Sequence, residues 1–345
     1  MYRIVTLRRL ALAATLLALC VVVFGAYVRL TDAGLGCPDW PGCYGHVTPA
    51  QAAAANAGTD GTPLHVGKAW REMIHRYGAS TLGLLILVMA GLAWRWRRHG
   101  DTPLALPLVL VGLVIFQGLL GMWTVTLLLK PLIVSLHLVF GLATLSLLWW
   151  LWLTLRRRSS NPWSGSRLAM GGGSTAALLR PAPVYLRRLA LVALIALVVQ
   201  IMLGGWTSTN YAAVACPDLP KCQASWWPEA DFRDAFVLWR GLGINYEGGV
   251  LDHPARVAIH FTHRLGAIVA TIALLLVAVF TLVLRRESNS RYAAIAVIAA
   301  LLLQLSIGIF MVLRAFPLSL ATAHNAGAAL LLLSTLALNR ALRRV

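Results

Sequence analysis

WREMIHRYGASTLGLLILVMAGLAW, residues 70–94, opens on charges and a histidine, then runs from Tyr77 to Trp94 without a charge. An apolar run of that length crosses a bilayer as a helix. Comparable runs recur along the chain. Spans are predicted at about 10–30, 74–94, 104–128, 132–154, 189–208, 257–284, 291–313 and 318–338. Composition agrees: 59% of residues are hydrophobic and 12% charged, against about 25% charged in a soluble domain. The fold expected is an all-α polytopic membrane protein with eight transmembrane helices. Arg3, Arg8 and Arg9 precede the first span, but its apolar run is too long for a signal peptide core and continues straight through GAYVRLTDAG. It is read as a helix.

The net charge of +18 points to nucleic acid only if topology is ignored. With the N-terminus inside and the spans alternating, the inner segments hold 19 of the 30 basic residues and two of the 12 acidic ones, Asp101 and Glu287. That asymmetry is the positive-inside rule. The basic excess is a topology signal, so no nucleic-acid partner is expected, and both termini come out cytoplasmic.

The chain also repeats itself. CPDWPGC at 37–43 returns as CPDLPKC at 216–222, and EMIHRYGA at 72–79 as HFTHRLGA at 260–267. QGLLG at 117–121 returns as QLSIG at 304–308, and SLHLVFGLATL at 135–145 as TAHNAGAALLL at 322–332. Matches in one order, with offsets of 179 and then 187–188, indicate a duplicated four-helix unit with an insertion of about nine residues. Each half has an even number of spans, so both enter the membrane in the same sense. Two pseudo-symmetric four-helix bundles are expected, about an axis along the membrane normal. The division is 1–155, a Gly-, Ser-, Pro- and Arg-rich cytoplasmic linker at 156–188, and 189–345.

Five of the nine histidines, His75, His137, His260, His263 and His324, lie in or at spans. Ionisable side chains there are costly and mark function. His46, His65, His99 and His253 fall in loops or at the inner surface and read as solvated. His75, His137, His263 and His324 each fall within the first two turns of a span running outside to inside. Each half therefore has one pair at matching depth on parallel helices. Two imidazoles facing across a bundle can grip one haem from both sides. Interhelical hydrogen bonding is the plainer alternative. Zinc or copper would want more ligands than two per half. Arg76 and Arg264 follow two of these histidines; each is read either as a fork for a haem propionate or as a snorkelling side chain.

Cys37/Cys43 and Cys216/Cys222 frame short Pro-containing loops on the outer side, where an oxidising compartment favours two disulfides. For the second pair a structural staple is the favoured reading. For the first, staple and redox-active pair stand level. A zinc site of all four thiols fits this compartment less well. Cys20 is read as core packing.

Together GAYVRLTDAGLGCPDWPGC, EMIHRYGAS, LHLVFG, CPDLPKC, HFTHRLGA and ATAHNAGAA resemble the haem A synthases, over essentially the whole chain. The resemblance implies oxidation of the C8 methyl group of haem O to a formyl group, making haem A for cytochrome oxidase. It implies substrate haem on His75 and His137 and a resident haem b on His263 and His324. It makes Glu72 the essential glutamate and Cys37 and Cys43 a functional pair. A bacterial cytoplasmic membrane is the expected location, and the depth of the four histidines on spans running outside to inside sets the haem sites toward the outer face. Partners to expect are haem O, the bilayer, haem O synthase, oxidase assembly factors and an electron acceptor that the sequence does not name. The halves differ where Glu72 stands opposite His260, whose role the sequence leaves open. A dihaem cytochrome b, linked to quinol or thiol chemistry, is the alternative, and a pure electron wire has no need of Glu72; a haem carrier is a third class.

Overall fold

The computed structural model describes residues 2–55, 57–58, 63–99, 102–160 and 182–343. Among them eight helices are long and apolar enough to cross a membrane. They are α1 (Tyr2–Leu30), α2 (Val66–Arg95), α3 (Ala105–Thr126), α4 (Pro131–Ser160), α5 (Val184–Thr209), α6 (His253–Leu284), α7 (Ser288–Leu313) and α8 (Leu318–Leu342). The described residues contain no strand, only isolated bridges at Cys43–His46 and Cys222–Ser225. This is what hydrocarbon demands, since only a helix or a closed barrel satisfies its own backbone there. The protein is an all-α, multi-pass membrane protein.

Each predicted span coincides with one of these helices; the third, 104–128, runs past both ends of α3, and several helices overrun their spans. α1 begins at Tyr2 rather than near 10, α2 at Val66 rather than 74, and α4 continues to Ser160. The reason is physical: Lys, Arg, Glu and Ala are good helix formers, so a helix need not stop where its apolar run does. The overrun corrects one expectation. His75 and His263 lie about three turns inside their helices, not in the first two. His137 and His324 do fall in the first two turns. The overrun also shortens the predicted linker, of which 161–181 lie outside the described residues.

Packing follows sequence order within each half. α1 touches α2 and α4, and α3 touches α2 and α4; α5 touches α6 and α8, and α7 touches α6 and α8. The halves meet through α1, α4, α5 and α8. Small side chains make this close approach possible: Ala11, Ala14 and Ala18 on α1, and Ala190 and Ala193 on α5, are fully buried. Some buried hydroxyls turn back on their own helix, as Thr15 does to the Ala11 carbonyl (2.6 Å) and Thr281 to that of Val277 (2.7 Å). Polar ties cross between halves where Trp149 Nε1 donates to the Leu333 carbonyl (3.1 Å) and Asp32 accepts from the Tyr211 hydroxyl (2.7 Å). Arg29 donates to the Ser208 carbonyl (2.8 Å) and lies over the Tyr211 ring.

Cys20 corrects another expectation. It is exposed, because the buried stripe of α1 runs through Leu7, Ala11, Ala14 and Ala18, and a residue two places on from Ala18 points the other way.

Candidate functional site

The site lies at the end of the bundle where the cysteine loops cover α2 and α6. Cys37–Cys43 and Cys216–Cys222 are disulfides, with Cα–Cα distances of 4.8 and 4.7 Å. All four cysteines are buried. The loops are built alike. Asp39 accepts from the N–H groups of Tyr44 (2.6 Å) and Gly45 (2.8 Å), and Asp218 from those of Gln223 (2.8 Å) and Ala224 (2.9 Å). This is the task of the aspartate in CPDxPxC: its carboxylate caps the two turn residues enclosed by the bridged pairs Cys43–His46 and Cys222–Ser225. Burial is the largest single influence on the Asp218 carboxylate and works against its charge, but the N–H groups of Ala224, Gln223 and Asp218, together with the Arg264 charge, outweigh it and hold its pKa below the ordinary value. At Gly36 the first loop comes so near α2 that an added Cβ would stand 2.7 Å from the Lys68 carbonyl carbon.

Below each loop stand an arginine and the residue one turn before it. Arg76 Nη1 donates to the carbonyls of Asp39 (2.9 Å) and Gly42 (2.6 Å), and its Nη2 to Glu72. Arg264 Nη1 donates to the carbonyls of Asp218 and Lys221 (both 2.8 Å), and its Nη2 to that of Cys216 (2.7 Å). Both arginines therefore hold the loops from beneath, a task the sequence did not reveal. Glu72 accepts from the Cys37 N–H at 2.8 Å, and His260 Nδ1 from the Cys216 N–H at 3.3 Å. Arg264 Nε also reaches His260 Nε2 at 3.3 Å. A carboxylate can accept both bonds at once. A neutral imidazole has one acceptor nitrogen and can accept only one. Glu72 is thus the fuller occupant of a station that both halves possess, and both residues are only 5% exposed.

One helical layer deeper are the four histidines. Each packs its Cε1 against a glycine of the preceding helix. A Cβ built on Gly25 would meet His75 at 2.7 Å, and one on Gly121 would meet His137 at 3.5 Å. Gly204 and Gly308 stand in the same way to His263 and His324, both at 3.1 Å. The glycines are sockets that let imidazoles lie between helices. His75 and His137 face each other with ring centroids 6.5 Å apart and planes at 80°. A metal–imidazole nitrogen bond of about 2 Å on each side, plus the two ring radii, fills that separation with one iron. The Nδ1 atoms of His75, His137 and His324 are buried without a partner. Orphaned ring nitrogens are costly unless something binds them, so these residues fit a bis-histidine haem. Among the described residues no group of three or more His, Cys, Asp or Glu could hold a metal ion by itself. Pairs of imidazoles with an apolar surround suit a macrocycle instead.

The family model described as COX15-CtaA, cytochrome oxidase assembly protein, matches residues 8–336. The chain belongs to the COX15-CtaA family. Members similar to it include a protein named heme A synthase from Shewanella oneidensis, 44% identical over 337 residues, covering 96% of this chain and 94% of that one. Proteins of the same name from Shouchella clausii (29%, covering 88% and 83%) and Halalkalibacterium halodurans (27%, covering 92% and 91%) are also similar. Against this family background the two loops, four histidines and Glu72 form one contiguous region.

Sequence reasoning missed one element here. Residues 236–251, between the second disulfide and α6, reach across to the first half. Lys130, 2% exposed, sits in the turn between α3 and α4. Its Nζ donates to the carbonyls of Arg240 and Gly241, both at 2.6 Å, and lies 3.6 Å above the Trp239 ring. The Tyr246 N–H donates to the Leu128 carbonyl (3.1 Å), and Glu247 pairs with Lys68 on α2 (3.1 Å). The insertion that separates the two repeat offsets falls between Cys222 and His260, the interval that contains this strap.

Proposed function

We propose that this protein is a haem A synthase: a membrane oxidoreductase that converts haem O to haem A for cytochrome oxidase. The relatives' names support the reaction. The geometry that supports it best is His75 facing His137 at 6.5 Å, beneath a loop that engages Glu72. In this reading His75 and His137 hold the substrate haem and His263 and His324 a resident haem b. The termini are cytoplasmic and the haem sites lie toward the outer face, as the basic residues and the oxidised cysteines suggest.

When bound, haem supplies iron redox chemistry beside the C8 methyl group. The protein supplies the rest. The four sockets fix imidazole position, and the disulfide loops and the strap from the second half exclude water from above. Glu72 is the one acidic side chain of the station, and its carboxylate accepts or returns protons as the methyl group is oxidised. Proton uptake at Glu72 weakens its ties to Arg76 and to the Cys37 N–H, so proton transfer and loop position are linked. Arg76 and Arg264 serve first as loop anchors, with propionate contact as their second role. Cys37 and Cys43 lie against the Glu72 side of the site and serve as an electron-accepting pair or as its structural roof. Haem O synthase and oxidase assembly factors are the partners this function would use.

The dihaem cytochrome reading loses ground because an electron wire has no use for the Glu72 station. Organic extraction and chromatography of the haems in the purified protein separates the two. Haem b together with haem O or haem A supports the synthase; haem b alone, at two per chain, overturns it.

A further inference from the structure

A haem gripped by two imidazoles still has a charged edge, its two propionates. Carboxylates are costly in hydrocarbon, so that edge turns toward the polar end of the bundle, where the disulfide loops lie. Arg76 and Arg264 direct their guanidiniums at loop carbonyls and at Glu72 and His260. The repeat supplies another pair of cations. Lys68 stands seven residues before His75, and Arg256 seven before His263. Seven residues make two helical turns at nearly one angle, so each cation lies on the face of its histidine, about 10 Å nearer the loops.

The two cations differ in their company. Lys68 Nζ stands 3.1 Å from Glu247 Oε1, with the two side chains 34% and 31% exposed. Glu247 arrives on the strap from the second half. Its own N–H donates to Asn245 Oδ1 (2.9 Å), and the neighbouring Tyr246 N–H to the Leu128 carbonyl (3.1 Å), which fixes the carboxylate over the first half. Arg256 makes no side-chain hydrogen bond or ion pair with any described residue, and its Nε is buried. A charged donor held from water without a partner is costly, and a guanidinium so placed suits a carboxylate. In the first half a protein carboxylate already occupies the matching cation. An ion pair as exposed as Lys68–Glu247 is weak, so a second carboxylate, already anchored by its haem, can displace it.

We propose that Lys68 and Arg256 are the propionate-binding cations of the two haem sites, and that Glu247 is a stand-in carboxylate that the substrate's propionate displaces from Lys68. Loading of the first site is thereby coupled to release of the strap contact. The inference rests on the haem reading above and names the residues of each site that would meet the charged edge of the ligand.

The test uses full-length protein purified in detergent and incubated with excess apomyoglobin, the remaining haems being counted by chromatography. Glu247→Gln removes the competitor and should raise haem O retention about two- to five-fold, while Lys68→Met should lower it by a similar factor. If the pair only clasped the strap, both variants would loosen the strap and shift retention in the same direction. Arg256→Met should speed the loss of haem b about 10-fold or more, with partial recovery in Arg256→Lys. Loading with haem O dimethyl ester, whose propionates carry no charge, should erase the differences between the parent, Glu247→Gln and Lys68→Met. Haem O retention that is unchanged or lower in Glu247→Gln, or an ester as sensitive to these substitutions as haem O itself, overturns the inference. Full haem content in both His75→Ala and His324→Ala overturns the haem reading instead, so the two failures are distinguishable.

Discussion

The Glu72 carboxylate accepts the backbone N–H of Cys37 at 2.8 Å, so the first disulfide loop and the acidic side chain of the site are directly bonded. In the other half His260 takes the equivalent N–H of Cys216. The station is duplicated; the carboxylate is not.

Glu72 therefore separates chemistry from architecture. Glu72→Gln keeps an oxygen for the Cys37 N–H but cannot exchange protons as a carboxylate does. We expect bound-haem spectra close to those of the parent and haem A formation reduced at least about 100-fold, the usual scale for loss of a general acid–base group. Haem A yield in cells with the variant as sole copy is the measurement. A yield within twofold of the parent would show that Glu72 only holds the loop.

Arg76 and Arg264 anchor their loops alike but differ in what they leave behind. Arg76→Ala strands a buried carboxylate, a loss of about 3–5 kcal/mol when one member of a buried pair is removed. Arg264→Ala leaves a neutral imidazole. Thermal unfolding in detergent should show the larger drop for Arg76→Ala, and adding Glu72→Gln to it should recover part of the loss. Equal drops, with no recovery in the double variant, would contradict the pairing.

The two disulfides should part company in the same way. Replacing Cys216 and Cys222 by Ser removes a loop constraint, typically about 2–4 kcal/mol and toward the low end for so short a loop. Haem A formation per folded molecule should be kept. Replacing Cys37 and Cys43 should cost similar stability and also lower haem A formation, because the Cys37 N–H is tied to Glu72. Activity normalised to folded protein decides; equal losses in both pairs would remove the functional distinction.

The histidine sockets make a steric prediction. Gly25→Ala puts a methyl 2.7 Å from His75 Cε1, whereas Gly121→Ala puts one 3.5 Å from that of His137. The first is a clash that a helix-bound imidazole cannot escape without moving; the second is ordinary contact. Haem O retention on purification should fall several-fold for Gly25→Ala, on the scale of the roughly 10–100-fold effects of disturbing a metal ligand's surroundings, and stay near parent for Gly121→Ala.

Much of this region is legible in the sequence because it is written in short-range terms. The four histidines stand out as ionisable groups inside apolar runs, and the cysteine pairs as close partners in a short loop. The repeat exposes Glu72 by setting it opposite His260. What stays hidden depends on approach across the fold. Arg76 and Arg264 read as propionate forks or as snorkelling side chains, yet their guanidiniums meet carbonyls more than 30 residues away. Asp39 and Asp218 looked like part of a motif and turn out to be caps that shape the loops. Cys20 looked buried because the run around it, from Leu10 to Val28, carries no charge, so no charged face marked its outward side. Gln200 and Gln304 carried a signal, their constant spacing from the socket glycines, but nothing in that spacing showed that a carboxamide meets a ring.

By itself the sequence determined the eight helices, because a bilayer forces each crossing segment to satisfy its own backbone and so makes its structure a local property. It showed the repeated segments too, and with them the contrast of Glu72 against His260. Tertiary structure alone decided which groups meet. Whether Arg76 holds a loop, whether Lys130 clasps a strap from the other half, and whether an imidazole nitrogen has a partner are set by side-chain packing between helices distant in sequence, and no local pattern encodes those distances.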